Sequence, residues 1–371
     1  MAFEDRLAQR VLGLDVSGIR KVFDLGLKLK DPINFSIGQP DFRVPDPVKQ
    51  AALQAIREDR NGYTPTQGLP DLLEAVRADA TARGLRFEDL IITSGVSGGL
   101  LLAFSALLDP GDEVILPDPY FLMYKQLARF LGAKATYVNT YPDFRCTAER
   151  LEPLLRREPK LVVINAPGNP TGVGLDARQW SDLADLLARH PRTAVLSDEI
   201  YRLFHYDGAY VSLAGLADNV ITLDGFSKSH AVTGWRVGWA LGPKAVLQQM
   251  AKLQQFTFVC APSFAQRASL AALKHSMEAE RQSYARKRDL IYSLLEAKYE
   301  VERPQGTFYI FPKVPERYAS AQAFVEKALE HNLLIIPGSV FSERDTHYRI
   351  SFATSEEKLQ AGACILNELA E

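Results

Sequence analysis

The residues with clear chemical potential begin with a lysine that follows directly on a short apolar run. Lys228 closes Gly225-Phe226-Ser227-Lys228, just past the run 220–223, and open α/β sheets present their ligand sites at such strand ends. A lysine there becomes a nucleophile toward a carbonyl once it is deprotonated, forming an imine. Further on, in Thr233-Gly234-Trp235-Arg236-Val237-Gly238, Arg236 carries the fixed fork of donors that suits a phosphate. Taken alone, such a pair fits a surface or salt-bridge role equally well.

Three other segments repeat the same arrangement. Ser197-Asp198-Glu199-Ile200-Tyr201 follows the apolar run 193–196, so Asp198 also stands at a strand end. Read by itself, Asp198 is equally an N-cap. Asn165-Ala166-Pro167-Gly168-Asn169-Pro170-Thr171-Gly172 follows 161–164. Thr93-Ser94-Gly95-Val96-Ser97-Gly98-Gly99 follows 90–92 and opens a helix, which makes an anion site at the helix N-terminus. Four strand ends thus bring a lysine, a carboxylate, an amide and an anion cradle toward one edge. The spacing is not GxGxxG, and no acidic residue stands where a dinucleotide ribose would need one, so nicotinamide dinucleotide binding is disfavoured.

The elements that must position these groups are legible as alternation. The runs 90–93, 113–116, 135–139, 161–164, 193–196, 220–223 and 237–241 read as strands, mostly apolar throughout rather than alternating. That pattern suits strands covered on both faces of a parallel sheet. Helical patterns at 98–108, 121–131, 177–188 and 244–255 separate them. Strand–helix alternation predicts an α/β fold with a doubly wound, mostly parallel, seven-stranded sheet. The ends differ. A Gly- and Pro-rich loop stands at Gly38-Gln39-Pro40-Asp41, one long helical pattern covers 264–298, and strand-like pieces lie at 307–311, 333–336 and 348–352 with helices at 321–331 and 356–369. The expected division is a large α/β domain over 46–272 and a small α+β domain built from 1–45 and 273–371.

Together these residues resemble the fold type I pyridoxal-phosphate (PLP) enzymes, specifically the class I/II aminotransferases. The resemblance runs from Ser36-Ile37-Gly38-Gln39-Pro40-Asp41-Phe42 to Arg349-Ile350-Ser351-Phe352. It implies a ping-pong transfer of an amino group from an L-amino acid to a 2-oxo acid through an aldimine on Lys228, with the lysine later moving a proton from the substrate Cα. It implies that Asp198 pairs with the ring nitrogen of PLP and that Asn169 and Tyr201 donate to its phenolic oxygen. Val96, Ser97, Ser227 and Arg236 match the phosphate cradle, and Phe121 the ring stacked on the cofactor, with Tyr120 as the alternate. Arg349 matches the clamp for the substrate carboxylate, closed over by Gly38 and supported by Asn169.

Tyr63, in Asn61-Gly62-Tyr63-Thr64-Pro65, matches a tyrosine that reaches the phosphate of a neighbouring subunit, which implies a homodimer with shared sites. One departure stands out: Gly225 occupies a position where many relatives carry Ser or Thr. The alternative of the same fold is a PLP-dependent C–S lyase or another elimination enzyme. For a second substrate carboxylate the candidate cations are Arg20 and Lys21, weighed against a solvated surface role. Tyr124, Phe256 and Phe258 equally suit an apolar or aromatic side chain.

Composition bounds the remaining classes. The chain has 371 residues, for which about 150 residues per domain suggests two domains. Hydrophobic residues make up 47% and charged ones 24%, and Lys+Arg 43 against Asp+Glu 45 gives a net charge of -2. A near-neutral chain is no polycation, so neither nucleic acid nor a membrane surface is an expected partner. Three scattered cysteines, with no Cys/His cluster, predict no metal site and a reducing cytoplasmic setting. The first ten residues carry charges of both signs and no apolar core, so no signal peptide is expected.

Overall fold

The protein is described here by a computed structural model covering residues 3–15, 18, 22, 26 and 29–371. Its centre is a seven-stranded sheet formed by β2 (Asp89–Thr93), β3 (Glu113–Asp118), β4 (Lys134–Asn139), β5 (Leu161–Ile164), β6 (Ala194–Asp198), β7 (Val220–Gly225) and β8 (Gly238–Gly242). The spatial order is β2-β8-β7-β6-β5-β3-β4. Every neighbouring pair is parallel except the two made by β8, which runs antiparallel to both β2 and β7. All residues of β5, β7 and β8 are buried, which is what their near-continuous apolar character requires once helices cover both faces. Two large apolar clusters result, one on each side of the sheet, with Leu100, Val163 and Leu223 in one and Ile92, Val162 and Leu241 in the other.

The reversed direction of β8 matters for everything that follows. It places the start of β8 beside the C-terminal ends of its two neighbours, with Gly238 paired to Thr93 on one side and to Gly225 on the other. Side chains are excluded at this junction. A Cβ on Gly238 would lie 2.9 Å from the Asp224 carbonyl oxygen and 3.0 Å from the Val96 nitrogen. A Cβ on Gly225 would meet the Gly238 Cα at 3.0 Å and the Val237 carbonyl at 3.1 Å. A side chain at Gly225 would thus be crowded, and β8 would have to give by a few tenths of an ångström to admit one.

Smaller sheets flank this core. β1 (Ile33–Asn34) pairs parallel with β10 (Leu333–Leu334), while β11 (Ile336–Pro337), β12 (Tyr348–Ser351) and β9 (Tyr309–Ile310) form an antiparallel trio. The strand expected at 333–336 is thus two strands serving two sheets, interrupted at the fully buried Ile335. The long helix expected over 264–298 is also two, Ser263–Lys274 and Glu278–Leu295. His275 turns extended, Met277 buries its side chain, and the Ser276 hydroxyl accepts the Glu278 N–H at 3.4 Å, so the backbone is re-satisfied at the break. Helices at Asp46–Arg57, Pro70–Ala82 and Ala148–Leu155 complete the core's cover. Among the described residues no helix is long and apolar enough to cross a membrane.

Candidate active site

The cavity that collects the chemistry opens at the strand ends and has a volume of about 560 Å³. Its walls include Gly38, Val96, Ser97, Phe121, Asn169, Asp198, Tyr201, Ser227, Lys228, Arg236 and Arg349. Tyr63 stands apart: it is 88% exposed and lines no part of this chain's cavity. Tyr120 points elsewhere, its ring stacked on Tyr137 and its hydroxyl donating to Glu343 at 2.5 Å. Phe256 is 80% exposed, and neither it nor Phe258 lines the cavity. Arg20 and Lys21 lie outside the described residues.

At one end of the cavity the sequence builds an anion cradle. The helix Gly95–Leu107 begins there, and its N-cap Ser94 makes no side-chain capping bond. Its first N–H groups and the positive end of its dipole are therefore free for an anion. Gly95 sits at φ +68°, and a Cβ on it would strike the Arg236 guanidinium at 2.5 Å. The close approach of that guanidinium to the helix start thus depends on glycine. Arg236 is anchored by Nη1 donating to the Thr233 carbonyl at 2.9 Å, and Ser97 and Ser227 add hydroxyls.

Asp198 is buried at the end of β6. Its carboxylate accepts a hydrogen bond from the Tyr124 hydroxyl at 2.6 Å and another from the Ile200 N–H at 3.3 Å. The turn-forming role and the site role are thus filled by one side chain. Burial pushes this carboxyl up to about 6, and the Tyr124 and Ile200 bonds oppose the rise. The acid is therefore ionised at neutral pH. Asn165 braces the strand end by donating to the Asp198 carbonyl at 2.8 Å.

Lys228 donates from Nζ to the Gly38 carbonyl at 2.8 Å. Burial, then the positive charges of Arg349 and Arg236, bring its amine down to about 8, and Asp198 works against this. A useful fraction of neutral amine is thereby present near neutrality. The strand that delivers Lys228 is tied to the segment carrying Tyr201 by a buried ion pair between Arg202 and Asp224. Removing one partner of such a pair costs about 3–5 kcal/mol.

Arg349 is buried on β12. Nη1 donates to Asn169 Oδ1 at 3.0 Å, Nη2 donates to the Ser36 carbonyl at 2.7 Å, and Nε has no partner. Since Asn169 Oδ1 accepts from the arginine, its amide N–H groups are left as the donors on that side chain. The Tyr201 and Tyr309 hydroxyls lie 3.4 Å apart. The cavity lining holds three cations, Lys228, Arg236 and Arg349, against the single carboxylate of Asp198. The excess positive charge suits a ligand set of anions. Sequence reasoning missed the roles of Tyr124 and Tyr309. Tyr124 follows Phe121 at helical spacing (i, i+3) at the start of the helix Leu122–Leu131, a signal that could have found it.

Comparison with known proteins follows the same lines. The family profile "Aminotransferase class I and II" matches residues 30–364. A probable aspartate aminotransferase of Methanocaldococcus jannaschii is 33% identical, with 98% of this chain and 100% of that protein covered. The aromatic-amino-acid aminotransferase 2 of Thermococcus litoralis is 34% identical over 97% of this chain and 96% of its own length. Among solved structures, the aspartate aminotransferase from Thermus thermophilus with maleate superimposes with a TM-score of 0.93 at 32% identity, covering 98% of this chain and 99% of that one.

The lysine's surroundings make a direct prediction. In cofactor-free protein, acylation of Lys228 by an amine-selective reagent, read by peptide mass spectrometry against pH, titrates near 8. Asp198→Asn removes the anion that supports the ammonium and moves the midpoint down, whereas Arg236→Gln moves it up. A midpoint at the ordinary lysine value in all three proteins contradicts this electrostatic account.

Proposed function

The chain belongs to the class I and II aminotransferases and transfers amino groups from amino acids to 2-oxo acids, and we propose that it does so with pyridoxal phosphate held by the residues of this cavity. The family is PLP-dependent, and the residues present fit the group: an uncapped helix start, two hydroxyls and Arg236 for a phosphate, a buried carboxylate for a ring nitrogen, and a lysine of lowered basicity for an aldehyde. When bound, pyridoxal phosphate supplies an electron sink for the carbon that loses its proton.

In this reading each side chain of the cavity takes a definite role. Val96, Ser97, Ser227 and Arg236 would hold the phosphate, and Phe121 would pack on the ring face. Asp198, kept ionised by Tyr124 and the Ile200 N–H, holds a proton on the ring nitrogen. Tyr201 and the Asn169 amide donate to the phenolic oxygen. Arg349 has N–H groups to spare after serving Asn169 and Ser36, and takes the α-carboxylate of either substrate. Gly38, close beside Lys228, closes over that end of the site. Lys228 Nζ moves the Cα proton as general base.

The observation that carries this reading is the meeting of Lys228, Asp198 and Arg349, from three separate strands and their loops, in one cavity. The names of the relatives favour transfer over the elimination chemistry open to the same fold. Loaded with pyridoxal phosphate, the protein bleaches its cofactor absorbance on addition of an L-amino acid and recovers it with a 2-oxo acid. Lys228→Ala loses at least about a thousandfold of this turnover. Pyruvate and ammonia released with no oxo acid consumed would overturn transfer in favour of elimination.

The same reading makes the protein a homodimer in which Tyr63 reaches the partner's phosphate. An exposed apolar face supports it. Tyr63, Leu53, Ile56, Phe256 and Val259 are all solvent-facing. They sit on neighbouring elements, since Ser263 Oγ donates to the Arg60 carbonyl and Gln254 donates to the Thr66 carbonyl. It further divides the chain into units 46–272 and 1–45 with 273–371, and places it in the cytoplasm, where its three unpaired cysteines stay reduced. Light scattering gives a dimer mass, and Tyr63→Phe weakens cofactor affinity severalfold without changing that mass. A monomer with full activity contradicts the shared site.

A further inference from the structure

The guanidinium of Arg349 lies against two aromatic rings as well as being hydrogen-bonded at its edges. The ring of Tyr309 lies 4.4 Å from its Cζ and the ring of Phe341 lies 4.7 Å from it. Tyr309 lines the cavity and Phe341 does not. The chain path explains how both arrive. β9 brings Tyr309 beside β12, where Ser351 pairs with it. On the other side β11 pairs Ile336 with Arg349, the turn Gly338–Val340 reverses the chain, and Phe341 returns fully buried onto the arginine. Phe341 has a second attachment: its carbonyl accepts the Tyr120 N–H at 2.7 Å, one residue before Phe121.

We propose that Phe341 is a positioning residue for carboxylate binding, acting through Arg349 together with Tyr309. The inference rests on the reading of Arg349 as the carboxylate clamp. A guanidinium taken from water loses solvation that two hydrogen bonds do not replace, and Nε is left unpaired. Aromatic faces recover part of that loss by cation–π attraction, which strengthens when water is excluded. They also fix the plane of the fork. With Asn169 and Ser36 holding two N–H groups and two rings fixing the plane, the remaining N–H groups present one orientation, and a bidentate carboxylate is selective for orientation. An aliphatic side chain at 341 fills space but does neither. Through its carbonyl the same residue keeps the Arg349 clamp in step with the segment that carries Phe121.

The test uses the pyridoxal-phosphate-loaded enzyme with Phe341→Leu, Phe341→Tyr, Tyr309→Leu, Tyr309→Phe and Arg349→Gln. Two quantities are read: steady-state kcat and KM for amino acid and oxo acid, and calorimetric binding of maleate, a carboxylate that does not react. Phe341→Leu and Tyr309→Leu are expected to weaken maleate binding and raise both KM values about tenfold, with kcat changed by less than about threefold. Phe341→Tyr, which keeps the ring, remains within about threefold of the parent in both readouts, and Tyr309→Phe binds maleate more tightly than Tyr309→Leu. The Tyr309 pair carries the test alone if Phe341→Leu does not fold. Unchanged maleate affinity in both folded leucine variants, with affinity lost in Arg349→Gln, overturns the proposal and leaves the clamp standing. Unchanged affinity in Arg349→Gln overturns the clamp itself.

Discussion

Burying an amine, a guanidinium and a carboxylate around one cavity costs each of them its water, and the rest of the site is organised by how that cost is met. Asp198 is met by Tyr124 and a backbone N–H, so it stays charged near neutrality despite a carboxyl pushed up to about 6. Arg349 is met by Asn169, the Ser36 carbonyl and two aromatic faces. Lys228 is met least, with one carbonyl and two cationic neighbours, so its amine falls to about 8. The uneven treatment is what turns three charged residues into three functions: a fixed anion, a fixed cation and a movable proton acceptor.

The fold makes this arrangement possible by a single reversal. A wholly parallel sheet would carry the start of β8, and Arg236 with it, to the opposite edge from Lys228 and the helix start at Gly95. Running β8 antiparallel between β2 and β7 brings all three together around Gly238, where the backbones approach too closely for any side chain. Gly95, Gly225 and Gly238 therefore belong to one requirement, the packing of an anion cradle against a strand junction.

Much of this was legible in advance, for identifiable reasons. Strands covered on both faces have no polar alternation to obscure them, so most strands of the large sheet appear as apolar runs, and all seven were placed within two residues of their observed ends. The site motifs at those strand ends were legible for the same reason, since a strand end fixes where the next few residues go. The helices Asp46–Arg57 and Pro70–Ala82 were missed although each has proline in its first turn, a start signal that composition-level reading overlooks. The break at His275–Met277 was invisible because it is made by a buried methionine and a serine hydroxyl rather than by glycine or proline. Tyr124, Tyr309 and Phe341 were not read as partners of Asp198 and Arg349: the first two contact residues far along the chain, and Phe341 meets Arg349 only because the turn Gly338–Val340 folds it back.

One nitrogen, Lys228 Nζ, is the proposed covalent attachment point, and its neighbours set its reactivity. The most direct measurement is reduction of the pyridoxal-phosphate-loaded protein with borohydride, followed by digestion and mass-spectrometric mapping of the modified lysine. The account predicts a stable adduct on Lys228 and on no other lysine. An adduct elsewhere, or none under conditions where the cofactor remains bound, contradicts it.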